Sequence, residues 1–154
     1  MKLSKKTDYA LRVLVALAGL APGERASIRR LAAENDVPRR FLEQIMQDLR
    51  EQHWVRAIPG RDGGFTLAVR PEDLSVGQVI RHFDGVLAPI GCVSVAHFEP
   101  CSQARTCRFR RIFLEIRNHT AQRLDRLTLG DLVAGVPVTQ DELLHPELNA
   151  GAGI

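Results

Sequence analysis

The stretch Gly60-Arg61-Asp62-Gly63-Gly64 constrains the fold more than any other in the chain. It separates two short β-prone runs, Val55–Ile58 and Phe65–Val69, while apolar residues elsewhere recur at helical spacing. Its glycines suit a tight hairpin tip. Three helices are predicted ahead of it. The first runs from Ser4 to Leu20, with Tyr9, Val13, Leu17 and Leu20 on one face, and Ala21-Pro22-Gly23 breaks it. Ser27 is a suitable N-cap for a short second helix that turns Ile28, Leu31 and Ala32 inward. Asn35-Asp36-Val37-Pro38 makes a turn, and a third helix from Arg39 to Gln52 buries Phe41, Leu42, Ile45, Met46 and Leu49.

Helix, turn, helix and glycine-arginine hairpin, in that order, predict a mostly α winged helix-turn-helix with a small β-hairpin wing. In that fold the second helix of the turn lies in the major groove, where base edges are distinguishable. Arg39, Arg40, Glu43, Gln44 and Gln47 are polar positions of the third helix and the candidates for base contacts. Arginine and glutamine suit purine edges, and glutamate accepts from cytosine. Ser27, Arg29 and Arg30, at the start of the second helix, are the candidates for phosphate. Arg61 suits a narrow minor groove, and Gly60, Gly63 and Gly64 let backbone come close to sugar and phosphate. For any one of these residues a solvated helix face or a plain tight turn is an equal reading; the assembled order favours DNA.

Charge points the same way. Residues 1–70 carry 13 basic and 8 acidic side chains, whereas the remainder carries 8 and 10, so a net +5 in front is set against −2 behind. Aromatics make up only 5% of the chain, leaving a core of Leu, Val, Ile and Ala. Asp8 and Arg12 interrupt what would be the apolar core of a secretion signal, and no apolar run approaches the roughly 20 residues of a bilayer span. With three cysteines, an odd number, a disulfide framework is disfavoured and the reducing cytosol is the expected compartment.

Past the hairpin, Ser75 caps a fourth helix through Val76, Val79, Ile80 and Phe83. Periodicity fails from Asp84 to Cys107, and this irregular stretch holds Cys92, Cys101 and Cys107. Gaps of 8 and 5 residues match neither zinc knuckles nor ferredoxin spacings. Metal or redox chemistry and inert burial both stay open at this point. A thiol enzyme with Cys92 or Cys101 as nucleophile and His97 as base lacks a recognisable third member, so no enzyme is expected. A long helix follows, with Phe109, Ile112, Phe113, Ile116, Thr120, Leu124 and Leu127 as one stripe, and Thr128 caps a last turn through Leu129 and Leu132.

Several of these segments together resemble a bacterial regulator family, the IscR/NsrR/RirA-type (Rrf family) regulators. They are the start Met1 to Arg12, Phe41-Leu42-Glu43-Gln44-Ile45, Gly60 to Phe65, Ser75 to Ile80, the three cysteines before a long helix, and Thr128-Leu129-Gly130-Asp131-Leu132. The resemblance covers about residues 1–134 and implies a homodimer on an operator in double-stranded DNA, paired through the long helix. It divides the chain into a DNA-binding domain (1–70), a sensor loop with a dimerisation helix (71–134) and a flexible tail (135–154). It also implies a 2Fe–2S or 4Fe–4S iron–sulfur cluster on Cys92, Cys101 and Cys107, responding to nitric oxide, redox state or iron supply. The biogenesis-type member adds a histidine three residues after its last cysteine, where this chain has Arg110. The nitric-oxide-sensing member resembles this chain at Asp8, whose carboxylate is then the expected fourth ligand, reaching the partner subunit's cluster; His97, Glu99 and His119 are further candidates. The competing expectation is a cluster-free regulator of the same type that senses through cysteine thiols or a protein partner.

Overall fold

A computed structural model describes residues 2–143. Three helices open the chain. α1 (Lys5–Ala18) begins where the Ser4 hydroxyl accepts from the Thr7 N–H, and its face of Ala10, Val13, Leu14 and Leu17 is buried. α2 (Ile28–Glu34) is capped by Ser27, whose side chain accepts from the Arg30 N–H, as its sequence predicts. α3 (Arg39–Glu51) buries Leu42, Ile45, Met46 and Leu49. Phe41, expected inside, is 36% exposed and meets Tyr9 of α1 edge-on. Asp36 lies at φ 52° in the turn between α2 and α3, a left-handed conformation that aspartate tolerates better than most residues.

The hairpin forms where expected. β1 (Val55–Ile58) pairs antiparallel with β2 (Gly64–Leu67), in the register Val55 to Leu67 and Ile58 to Gly64. A third, one-residue strand joins it: Ala26 and Phe65 exchange both backbone hydrogen bonds, at 3.0 and 2.8 Å. The wing is thereby fastened to the chain just ahead of α2.

A 3-10 turn (Pro71–Asp73) leads into α4 (Val76–Asp84), whose start is closed by a reciprocal capping box between Ser75 and Gln78. The irregular stretch contains one further 3-10 turn, Gly91–Val93, among the described residues. α5 (Arg110–Arg126) is the long helix and α6 (Leu129–Ala134) follows, capped by Thr128 and Asp131. A short α7 (Gln140–Leu143) forms inside the segment expected as tail; residues 144–154 of that segment lie outside the described residues.

The core continues across residue 70. Leu74, Val79 and Leu129 belong to the same buried cluster as the apolar faces of α1 and α3. Two backbone bonds close it: the Val76 N–H donates to the Leu127 carbonyl at 2.8 Å, and the Leu129 N–H to the Leu74 carbonyl at 3.0 Å. α5 packs on α4 so closely that a Cβ at Gly77 would overlap the Asp125 carboxylate, which itself pairs with Arg81. No residue of α5 is fully buried, and Ile112 and Ile116 are exposed, as is Phe109 just before the helix.

Asp84 ties the end of α4 to the start of α1 by accepting from the Ser4 N–H at 2.9 Å. Burial raises its carboxyl pKa, but hydrogen bonds from Ser4 and Thr7 outweigh this and hold it below the ordinary carboxylate range. A lowered folded pKa contributes stability that is present above the unfolded value of about 4 and is lost as pH falls through the folded one. Asp84→Ala should therefore lower the urea midpoint at neutral pH. The gap to wild type should close as the pH drops below the carboxylate range; a gap that stays constant with pH would show that the charge on Asp84 adds nothing.

Candidate DNA-reading surface and cysteine loop

Two groups of candidate residues occupy separate parts of the fold. On the reading head, α3 and the wing flank an open groove lined by Glu43, Gln47, Arg50, Arg56 and Phe65. All the candidate side chains on α2, α3 and the hairpin tip are exposed, but they are not equally free. Arg30 pairs with Glu24 at 2.6 Å and Glu34 at 2.9 Å, and both hold its guanidinium more firmly protonated than usual. Arg39 pairs with Glu43, one helical turn on, at 3.0 Å. Arg29, Arg40 and Arg61 have no hydrogen-bond or ion-pair partner among the described residues, and Gln44 is likewise without one. Gln47 donates to Glu51 at 3.2 Å. Thus two of the expected base- or phosphate-contacting cations, Arg30 and Arg39, are held by acids of their own chain.

The three hairpin glycines also separate by role. Gly60 adopts φ 115°, which favours glycine at the tip. At Gly63 a Cβ would collide with the Ile58 carbonyl, and at Gly64 it would come within 2.7 Å of the Ala26 carbonyl. Gly63 and Gly64 are therefore required by the hairpin and its bridge to Ala26, a packing reason beyond the close approach to sugar and phosphate expected from sequence.

The cysteine loop folds against the first half of α5. Cys92, Cys101 and Cys107 line one open concavity with Ile90, Glu99 and Arg108, and Cys101 is the most exposed of the three. Among the described residues no three metal-donor side chains converge on a point that would hold a single ion. Glu99 leans over Gly91, so that a Cβ there would meet its side chain, and its N–H donates to the Gly91 carbonyl at 3.2 Å. His97 and His119 are exposed and do not line the concavity. Asp8 lies on α1, where both carboxylate oxygens accept from Arg12 at 2.8 and 3.1 Å. Within one subunit it belongs to the N-terminal depression of Lys2, Lys5 and Asp84, apart from the thiols.

Sequence reasoning missed Arg110 and Arg117. Arg110 donates through Nε and Nη2 to the Cys92 carbonyl at 3.3 and 2.8 Å, and Arg117 through Nη1 to the Val93 carbonyl at 2.7 Å. Their seven-residue spacing on one helix face was readable, but a carbonyl partner leaves no mark in sequence.

Fold and head define a winged helix-turn-helix transcription regulator. The family described as "Rrf2: Iron-dependent Transcriptional regulator" matches residues 3–135, and the chain belongs to that family. An Rrf2-like HTH-type transcriptional regulator of Rhodobacter capsulatus is 36% identical over 138 residues, covering 86% of this chain and 92% of that protein. The HTH-type transcriptional regulator NsrR of Geobacillus kaustophilus is 34% identical, covering 86% and 90%. Among solved structures, CymR (YrzC), the global cysteine regulator of B. subtilis, superposes with a TM-score of 0.73 at 28% identity, covering 89% of this chain and 99% of that one. Among the described residues no helix is long and apolar enough to cross a membrane.

Gly64→Ala places a methyl group against the Ala26 carbonyl and should cost about 1–3 kcal/mol through overpacking. Thermal unfolding checks it, together with protection of the Phe65 amide from hydrogen exchange. A stable variant with an unprotected Phe65 amide would show the bridge to be dispensable, and an unchanged protein would contradict the clash.

Proposed function

We propose that the protein is a cytoplasmic, homodimeric repressor-type regulator whose operator affinity is set by an iron–sulfur cluster, 2Fe–2S or 4Fe–4S, held on Cys92, Cys101 and Cys107. The observation that carries this reading is the shared concavity: thiols separated by 8 and 5 intervening residues line one hollow on the flank of α5. The thiolates of a cluster are shared among two or more iron atoms, so all three need not meet at one point, and the spread of these donors suits a cluster better than a lone ion. When bound, the cluster supplies a centre reactive toward nitric oxide, oxidants and iron withdrawal. The family's description as iron-dependent supports the same reading.

The chain's own residues perform the rest. Exposed Phe109, Ile112 and Ile116 offer the apolar face through which α5 pairs with a second copy. Asp8 is the proposed fourth donor, reaching the cluster held by the other subunit, and to do so it must leave Arg12. Free Arg29, Arg40 and Arg61 supply the first electrostatic contacts with operator DNA, with Ser27 at the α2 N-terminus. Glu43 and Gln47 line the groove, and with Arg39 and Gln44 they are the proposed base contacts, for which the Arg39–Glu43 pair opens. Signals at the cysteines shift affinity only by the free-energy difference they create between the two arrangements of the heads.

A second reading keeps the DNA contacts and dispenses with the cluster, sensing through thiols or a protein partner. It is supported by the likeness to a global cysteine regulator and by the exposure of Cys101.

Anaerobic purification of the full-length dimer separates the two. The expected result is a brown protein with iron and sulfide in comparable amounts, and Asp8→Ala should keep the fold but lose the cluster faster. A colourless protein that still binds a palindromic site favours thiols or a partner. An equally durable cluster in the variant removes Asp8 from the ligand set. On the DNA side, Arg61→Ala should weaken operator binding and reduce the salt dependence by about one counterion. Footprints taken at several salt concentrations measure this; an unaltered slope would take Arg61 off the DNA.

A further inference from the structure

Arg110 fills the position three residues after the last cysteine, and its guanidinium is spent on the backbone of the first. The 3-10 turn Gly91–Val93 uses only its Gly91 carbonyl locally, as acceptor for Ser94 and Glu99. Its next two carbonyls go to α5: Cys92 to Arg110, and Val93, which is 5% exposed, to Arg117. Cys92, Cys107, Arg110 and Arg117 accordingly line one depression, which shares Cys92 and Cys107 with the three-thiol concavity. Arg110 opens α5, and Cys107 lies three residues before it, so the Arg110–Cys92 bonds span the short distance between two thiol-bearing segments. Two N–H groups of one planar fork on a single carbonyl fix direction as well as distance, which a lysine does not achieve. Arg110 has no carboxylate partner among the described residues that would account for its placement.

We propose that Arg110, backed by Arg117, is a positioning residue that sets Cys92 relative to Cys107 and thereby the grip of the loop on its cluster. The cluster part rests on the reading under Proposed function; the clamp joins two groups of the chain itself and is testable without a cluster. Groups that orient metal-binding side chains alter affinity or activity by about 10- to 100-fold when removed.

The test uses full-length dimers of wild type, Arg110→Ala, Arg110→Lys and Arg117→Ala. After anaerobic reconstitution with ferrous iron and sulfide, loss of visible absorbance is followed in excess chelator. In the cluster-free protein, the rates at which iodoacetamide labels Cys92 and Cys101 are compared by peptide mass spectrometry. Arg110→Ala should lose its cluster on the order of tenfold faster, and label faster at Cys92 while Cys101 labels at its wild-type rate. Arg110→Lys should recover part of both effects, since one donor returns, with the thermal midpoint of all variants near wild type. Cys92 labelling as slow as wild type in Arg110→Ala overturns the proposal, as does equal acceleration at Cys101, which would mean the loop has merely loosened. Wild type without iron or sulfide sinks the cluster reading alone, and the Cys92-to-Cys101 labelling ratio then decides the clamp. If Arg110→Ala fails to fold, Arg110→Gln, which keeps a donor without the fork, takes its place in both measurements, and the same two labelling results would overturn the clamp.

Discussion

Two backbone hydrogen bonds, Val76 to Leu127 and Leu129 to Leu74, hold this molecule in its shape. They join the chain entering α4 to the chain leaving α5, and so return α6 to the underside of α1, where Leu129 is wholly buried. With them, the long helix is mounted at its C-terminal end on the same core that holds α3. Gly77 and the Arg81–Asp125 pair complete the mounting by letting α4 and α5 touch backbone to side chain. At the other end of α5, Arg110 and Arg117 grip the cysteine loop. The loop and the reading head thus share one stiff strut.

The charge pattern reads differently once partners are known. A net +5 over residues 1–70 suggests a uniformly basic head, but Arg12, Arg30 and Arg39 are each neutralised by neighbouring acids. These pairs are half-exposed, so their contribution to stability is small; their effect is to decide which cations face an incoming polyanion. Among the candidate contacts, Arg29 on α2, Arg40 at the start of α3 and Arg61 at the hairpin tip are left without such a partner among the described residues. Glu43 acquires a double meaning in this arrangement, because releasing Arg39 for a base or phosphate leaves Glu43 needing a donor of its own. If Arg39 and Glu43 are the base contacts proposed above, the pair would favour sites that satisfy both members over sites that satisfy only one.

Much of the fold was legible in residues with local consequences. Ser4, Ser27, Ser75 and Thr128 mark helix starts because a hydroxyl one turn before an amide is a short-range interaction. The hairpin was legible because alternation and glycine meet there. Phe41 misled because helical spacing assigns it to the buried face, whereas it sits at the margin beside Tyr9. The Ala26 bridge was invisible, since a one-residue strand has no period, and with it the reason for Gly64. The pairing of Arg30 with Glu24 was equally hidden, six positions apart across a helix boundary. At the cysteines, sequence supplied the three thiols but not the carbonyl clamp, because a side chain that seeks backbone leaves its partner unspecified.

How the cysteine loop reaches α3 follows from what is rigid and what is not. α1 lies between the two: Tyr9 meets Phe41 of α3, Lys6 pairs with Asp48 of α3 at 2.6 Å, and Asp84 at the end of α4 holds the first turn of α1 through Ser4. Immediately after Asp84 the backbone passes through Gly85 at φ 72°, with the Ala96 methyl where a side chain would stand. That glycine is the point where packed helices give way to the cysteine-bearing loop. Displacement arising at Cys92 therefore has two exits: through the covalent chain it arrives at Gly85, where backbone freedom can absorb it, and through Arg110 and Arg117 it arrives at α5, where the Val76–Leu127 and Leu129–Leu74 backbone bonds and the close contact at Gly77 resist it. A loop joined to the head by the chain alone would signal weakly, because a glycine link transmits little torque. On the proposed reading the arginine clamp makes α5 the stiffer path, and coupling between the thiols and the DNA-facing side would then rest on two guanidinium-to-carbonyl contacts rather than on the loop's own length.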